Sequence, residues 1–107
     1  MSRSWRVPGV VVSVHDGDTA TLDLDLGWFL TNRQPVRVAH INAPELSTPE
    51  GIVARDAARA WLPIGSRVEL ISTGLDKYGR SLGVITLADG RDFGTLMLDA
   101  GYAVPYL

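Results

Sequence analysis

One segment alternates polar and apolar residues without a break, and this pattern constrains the fold more than any other feature of the chain. Between Thr19 and Leu26, two threonines and two aspartates take turns with one alanine and three leucines. A period of two is typical of a β-strand that buries one face and exposes the other. We therefore predict a half-buried strand here. Its core-facing residues are predicted to be Ala20, Leu22, Leu24 and Leu26.

Four further segments have the β-branched and apolar composition of strands. They cover residues 10–14, 36–41, 67–73 and 81–87. Asp16-Gly17 is a typical hairpin turn between the first two strands. Asn42-Ala43-Pro44 is predicted to end the third strand, because proline has no N–H to donate to a neighbouring strand.

The segment after the third strand has the features of a helix. Ser47 or Thr48 can cap its start, and Pro49 suits its first turn. Glu50 forms a capping-box pattern with Ser47. Apolar residues at nearly helical spacing follow, and Pro63 is predicted to stop the helix.

A second, shorter helix is predicted over residues 93–100, with Gly101 in a left-handed conformation at its C-terminal end. Five strands with a helix after the third is the element order of an OB-fold barrel, an architecture widely used to bind oligonucleotides. The pattern alone predicts a small, strand-rich α+β fold. Its 107 residues are enough for one domain, 1–107, and too few for two.

Composition excludes several kinds of chemistry. The chain has no cysteine, which excludes disulfides, zinc–thiolate sites and thiol nucleophiles. The net charge of −2 counts mildly against tight, non-specific nucleic-acid binding, which usually needs a basic face. It does not count against a hydrolase with a few well-placed cations.

No apolar run approaches the roughly 20 residues that cross a bilayer, so we expect no membrane partner. Arginines near the N-terminus are not followed by the apolar segment of a secretory signal. We therefore expect a cytoplasmic protein, or a secreted one if a signal has been removed.

Four short segments concentrate the chemically useful side chains. Carboxylate and amide oxygens suit a hard cation such as calcium, and guanidinium groups grip a phosphate in planar, bidentate fashion. A further carboxylate can activate water. Together these groups are the parts of a phosphodiesterase. The segments are His15-Asp16-Gly17-Asp18-Thr19, Arg37, Asn42-Ala43-Pro44-Glu45 and Asp76-Lys77-Tyr78-Gly79-Arg80.

In this order the segments resemble the staphylococcal (thermonuclease-like) nuclease family, from about residue 10 to about residue 102. The resemblance implies an OB-fold barrel and a calcium-dependent endonuclease. Such an enzyme hydrolyses single-stranded or locally open DNA and RNA and leaves 3′-phosphates. It also implies that Asp18 is a calcium ligand and that Asp16 supports Asp18 without binding the ion itself.

The remaining roles are also implied by the resemblance. Arg37 and Arg80 are two phosphate clamps that stabilise the transition state, and Glu45 is the general base. Lys77 contacts a neighbouring phosphate and Tyr78 stacks on a base. Each residue has a plainer interpretation when taken alone: a turn aspartate, a snorkelling arginine, an exposed loop glutamate or a solvent-facing tyrosine.

Asn42 departs from the family pattern, which has aspartate at this position as a second carboxylate on calcium. The amide carbonyl still coordinates calcium, but it adds no negative charge, so we expect weaker calcium affinity. This substitution leaves two hypotheses open. The chain is either a calcium-dependent nuclease or an OB-fold nucleic-acid-binding module with weak or lost catalysis. The acidic net charge suggests a third, a structural interaction domain.

Other polar residues are interpreted more simply. His15 and His40 are expected to be structural or surface residues, and Tyr102 and Tyr106 are weak candidates for a base-binding surface. Many relatives continue past the position of Leu107 into a further helix. Self-association would cover that side of the barrel if it is left bare, so a homo-oligomer is one expectation.

Overall fold

The computed structural model describes residues 5–75 and 79–106. Five strands form a closed barrel: β1 (Trp5–Asp16), β2 (Thr19–Gly27), β3 (Leu30–Val38), β5 (Arg67–Leu75) and β6 (Ser81–Leu87). Their order around the barrel is β1-β2-β3-β6-β5. All neighbouring pairs are antiparallel except β3 and β6, which are parallel. The predicted OB-fold barrel is confirmed.

Strand β2 buries the alternating face that its sequence predicts, as far as residue 24. Ala20, Leu22 and Leu24 are buried in the core, whereas Leu26 is 52% exposed. The hairpin of β2 and β3 continues beyond the closed part of the barrel, so its last residues have no core to face. The prediction that Leu26 is buried is therefore wrong.

Strand β3 is longer and differently placed than the predicted segment 36–41. It begins at Leu30 and ends at Val38, and a two-residue strand β4 (Ile41–Asn42) follows. Only residues 36–38 of β3 pair with β6, so the first part of β3 is an edge that tolerates Pro35. The break after Val38 is a turn in which His40 has a φ of 70°.

Helix α1 (Pro49–Trp61) lies between β4 and β5, after the third barrel strand as predicted. Thr48 is its N-cap, because the Thr48 hydroxyl accepts a hydrogen bond from the Gly51 N–H at 3.0 Å. The capping box predicted between Ser47 and Glu50 is therefore not formed, since Ser47 lies outside the helix. Ala54 and Ala58 face the core.

Helix α2 (Phe93–Asp99) packs against β6 and is followed by Gly101 with a φ of 79°, the left-handed conformation predicted for that glycine. A last short strand, β7 (Val104–Pro105), pairs with β4 outside the barrel. Within the described ranges, neither helix is long and apolar enough to cross a membrane.

Candidate active site

One cleft of about 860 Å³ opens at the end of the barrel where β2 begins and β3 ends. Six of the residues singled out in the sequence line it. They are Asp16, Asp18, Arg37, Asn42, Glu45 and Arg80. Lys77 and Tyr78, the predicted substrate contacts, lie outside the described residues. The chain thus brings side chains from positions 16 to 80 to the walls of a single cavity.

Asp18 lies on the floor of the cleft, with only 8% of its surface exposed. One of its carboxylate oxygens accepts a hydrogen bond from the Ala43 N–H at 2.8 Å, and the other accepts one from the Thr19 hydroxyl at 3.2 Å. The Asp18 carbonyl also accepts a bond from the Val38 N–H at 2.8 Å. These contacts attach the β1–β2 turn to β3 and to the segment after β4.

The β1–β2 turn approaches that segment closely because Gly17 has no side chain. A β-carbon at position 17 would lie 2.7 Å from the β-carbon of Ala43 and 3.1 Å from that of Ala54. Glycine is therefore needed at this turn because a side chain would not fit. Its backbone conformation does not require glycine, since Gly17 does not have a positive φ. The Asp16 carboxylate completes the turn by accepting the Asp18 N–H at 3.0 Å.

Burial raises the pKa of the Asp18 carboxyl, and the hydrogen bond and negative charge of neighbouring Asp16 raise it further. The Ala43 N–H and the positive charge of Arg37 act in the opposite direction. The ionised form of Asp18 is therefore incompletely stabilised by protein groups alone. A cation bound against this carboxylate would supply the missing stabilisation.

Arg37 lies beside Asp18, at the end of β3. Its side chain is only 13% exposed, and its Nη2 lies 3.5 Å from the Asp18 carboxylate. Its Nη1 donates a hydrogen bond to the Val38 carbonyl at 2.7 Å, and Nη2 also reaches the Asn42 side-chain oxygen at 3.5 Å. Arg37 is thus held at the cleft wall by several groups, in contrast to a snorkelling arginine.

Tyr106 lies over Arg37, with the guanidinium carbon 5.7 Å from the centre of the ring. The Tyr106 N–H donates to the His40 carbonyl at 2.9 Å, next to the pairing of β4 with β7. Tyr106 and His40 both line the cleft, although the sequence indicated them only weakly. The predicted site residues Arg37 and Asn42, on either side of His40, were the local indication of a site there. His15 instead lines a separate groove together with Arg59.

Glu45 is exposed at the edge of the cleft, on the loop that leads into α1. Its carbonyl accepts hydrogen bonds from the Thr48 N–H at 3.0 Å and from the Thr48 hydroxyl at 2.7 Å. Thr48 also caps α1, so the same residue that starts the helix fixes the backbone of Glu45. The Ser47 hydroxyl lies 3.5 Å from the Glu45 carboxylate.

Gly51 allows Glu45 to sit against the first turn of α1. A β-carbon at position 51 would lie 1.8 Å from the Glu45 carbonyl oxygen, which is far inside contact distance. We expect Gly51→Ala to displace the Glu45 loop and to destabilise the fold by about 1–3 kcal/mol. Urea denaturation measures the change in the free energy of unfolding.

Gly94→Ala is the matched control, because Gly94 is also near the start of a helix. A β-carbon at position 94 would lie 3.3 Å from the Asp92 carboxylate oxygen and 3.4 Å from Ile41, contacts that a shift of a few tenths of an ångström relieves. We expect near-normal stability from this control. Gly51→Ala with wild-type stability would show that the first turn of α1 tolerates a side chain against the Glu45 loop.

The donor set at the cleft fits a hard cation. Asp18 and Asn42 offer oxygen atoms, the ligands that calcium prefers, and the buried Asp18 carboxylate lacks full compensation of its charge. Among residues 5–75 and 79–106, no three His, Cys, Asp or Glu side chains form a group that could hold a metal. A cation here would therefore depend on amide, backbone or substrate oxygens as well.

Comparison with known proteins shows the family to which this chain belongs. Residues 35–107 match the family described as staphylococcal nuclease homologue. An uncharacterized endonuclease of Escherichia coli O157:H7 is 33% identical over 110 residues, which cover 96% of this chain and 67% of that protein. The chain therefore belongs to the staphylococcal nuclease family.

Two further relatives are similar to this chain. A micrococcal nuclease of Shigella flexneri is 39% identical over 79 residues, which cover 72% of this chain. Those residues span only 41% of the Shigella protein. A second uncharacterized endonuclease, from Escherichia coli, is 33% identical over 110 residues.

Proposed function

We propose that this protein is a calcium-dependent endonuclease that hydrolyses single-stranded or locally open DNA and RNA. The observation that carries the proposal is the convergence of Asp18, Arg37, Glu45 and Arg80 on one cleft. A module that only binds nucleic acid has no need for a carboxylate beside a phosphate. The family to which the chain belongs and the nuclease names of its relatives support the same conclusion.

Each of these cleft residues performs a different part of the proposed reaction. Glu45 accepts a proton from a water molecule whose oxygen attacks phosphorus. Arg37 and Arg80 donate hydrogen bonds to the phosphate oxygens, which orient the phosphate and stabilise the charge that develops in the transition state. The bond to the 5′ oxygen breaks, and that oxygen takes a proton from solvent. The products are a 3′-phosphate and a 5′-hydroxyl.

Calcium would be held by the Asp18 carboxylate and the Asn42 side-chain oxygen, with Asp16 supporting Asp18 through the turn. When bound, calcium neutralises a phosphate oxygen and makes the phosphorus a better electrophile. Asp18 is already aligned by the Ala43 N–H, so its orientation does not depend on the ion. Lys77 and Tyr78 are proposed to hold the neighbouring phosphate and base.

The first experiment measures cleavage of single-stranded DNA and RNA in graded calcium, beside a chelator. We expect cleavage that rises with calcium, stops on chelation and leaves 3′ ends that a polymerase extends only after phosphatase treatment. Cleavage that persists in the chelator would contradict the calcium dependence. Ends that a polymerase extends directly would contradict the proposed products.

Asn42→Asp tests the role of Asn42 in holding calcium. A second carboxylate beside Asp18 adds a full negative charge next to the ion, so the half-saturating calcium concentration should fall about tenfold or more. Asn32→Asp is the matched control, since Asn32 is exposed in β3 far along the strand from the cleft. An unchanged calcium titration in Asn42→Asp would remove residue 42 from the ion site.

A binding module with weak or absent catalysis is the second candidate function, and the neutral Asn42 favours it. This alternative predicts that the wild-type chain binds single-stranded DNA in calcium without cutting it. It also predicts that Asn42→Asp restores cleavage. The same calcium series therefore separates the two candidates.

A further inference from the structure

The β2–β3 hairpin ends in an apolar turn that the described part of the chain leaves uncovered. We refer to residues 26–30 as the hairpin tip. Trp28 is 92% exposed and Phe29 is fully exposed. Leu26 and Leu30 are each more than half exposed. The hairpin tip lies at the far end of β2 and β3 from the cleft, so the proposed nuclease chemistry does not use it.

The backbone of the hairpin tip is unfavourable for the residues that occupy it. Gly27 pairs with Leu30, which leaves Trp28 and Phe29 as a two-residue loop with φ values of 54° and 59°. Such loops favour Asn-Gly, because a side chain with a β-carbon is strained at positive φ. Folding alone would therefore favour small polar residues at both positions. The aromatic pair points to a role outside the fold.

The charges around the hairpin tip identify the chemistry of its partner. No charged residue occurs between Asp25 and Arg33. Asp25 carries the nearest charge, and its carboxylate accepts a hydrogen bond from the Gly27 N–H at 2.9 Å. Beyond it, Arg33 and Asp23 form a bidentate ion pair at 2.8 and 3.1 Å. Nucleic acids and anionic lipids are bound through clustered cations, which this stretch does not have. The partner surface is therefore apolar and is not anionic.

The size of the hairpin tip disfavours a second copy of the chain as that partner. Two aromatic side chains offer on the order of 300–500 Å² in total, and two half-exposed leucines add less. A stable interface needs about 800 Å² from each partner. A single projecting turn falls short of this, whereas insertion into a lipid surface needs no complementary protein area.

We propose that the hairpin tip inserts into the interfacial layer of a zwitterionic lipid bilayer. Tryptophan is enriched at the level of lipid headgroups, and phenylalanine and leucine reach the acyl boundary. The sequence-based expectation of no membrane partner rested on the lack of a spanning segment. A surface contact made by one turn does not require such a segment.

The test measures partitioning of the full chain onto phosphatidylcholine vesicles by sedimentation. We expect Trp28→Asn/Phe29→Gly to reduce the partition coefficient about 100-fold. This variant gives the turn the residues that its backbone favours, so its melting temperature should equal or exceed that of the wild type. Val53→Ser/Ile64→Ser removes two exposed apolar side chains elsewhere and should bind as the wild type does.

A second variant reports where the chain touches the bilayer. Trp28→Phe keeps the hairpin tip apolar but removes its tryptophan. Brominated phosphatidylcholine should quench the wild-type tryptophan emission and leave that of Trp28→Phe nearly unchanged, although both proteins sediment with the vesicles. Quenching of equal depth in the two proteins would overturn the proposal.

Three other results would also overturn the proposal. The first is vesicle binding that is the same in the wild type and in Trp28→Asn/Phe29→Gly, including no binding by either. The second is a loss of affinity for single-stranded DNA in that variant but not in Val53→Ser/Ile64→Ser, which would make the hairpin tip a base-stacking surface. The third is a wild-type dimer that the variant dissociates.

Discussion

Arg37→Lys is expected to lower kcat/KM on single-stranded DNA about 1,000-fold, although the charge is unchanged. The Arg37 guanidinium donates to the Val38 carbonyl through Nη1 and faces Asp18 and Asn42 through Nη2. Lysine offers one ammonium group and cannot make these contacts while also gripping a phosphate through two parallel bonds. Initial rates at saturating calcium measure the effect.

Arg33→Lys is the matched control for Arg37→Lys. Arg33 lies on the same strand and also makes a bidentate contact, but its partner is Asp23 on the exposed face. Exposed ion pairs contribute little to stability, so we expect near-normal activity and stability. A rate for Arg37→Lys within about tenfold of the wild type would remove the bidentate phosphate grip from the mechanism.

The barrel could be predicted from the sequence because its strands carry local evidence. The alternation from residue 19 to residue 24 follows the pleat of β2. The residues that cap and end α1 lie within a few positions of the ends of the helix. The first half of β3 could not be predicted in the same way. Residues 31–35 are polar or proline, because they pair on one side only and have no core to cover.

The sequence predicted residue types that line the cleft but not their geometry. Asp18 reaches the Ala43 N–H across 25 positions of sequence, and Gly17 makes room for that approach. Neither fact has a local pattern. Tyr106 lies beside Arg37 only because β7 pairs with β4, and two-residue strands have too few positions to show a period.

The turn of the β2–β3 hairpin is a further feature that could not be predicted from the sequence. A turn of Gly27, Trp28 and Phe29 does not have the Asn-Gly or Asp-Gly composition by which such loops are recognised. The composition of this turn therefore does not predict where Trp28 lies. Only the backbone conformation shows that this aromatic pair is held in solvent at a cost to the fold.

Glu45→Gln is expected to lower kcat by a factor of about 100 to 10,000, the usual contribution of a general base. The amide has nearly the same size as the carboxylate and keeps an oxygen toward Ser47, so the loop and its bonds to Thr48 should remain. Binding of single-stranded DNA should therefore be close to that of the wild type. Single-turnover cleavage and equilibrium binding, both in calcium, measure the two quantities.

Loss of proton transfer and loss of negative charge at the cleft are distinguished by pH and by a control. Without a base at position 45, attack depends on hydroxide. The rate of Glu45→Gln should therefore rise about tenfold per pH unit until it approaches the rate of the wild type. Glu50→Gln removes the same charge from an exposed position in the first turn of α1 and should leave kcat unchanged. If Glu45→Gln and Glu50→Gln lose activity equally and with the same pH dependence as the wild type, Glu45 acts through charge alone and another group must take the proton from water.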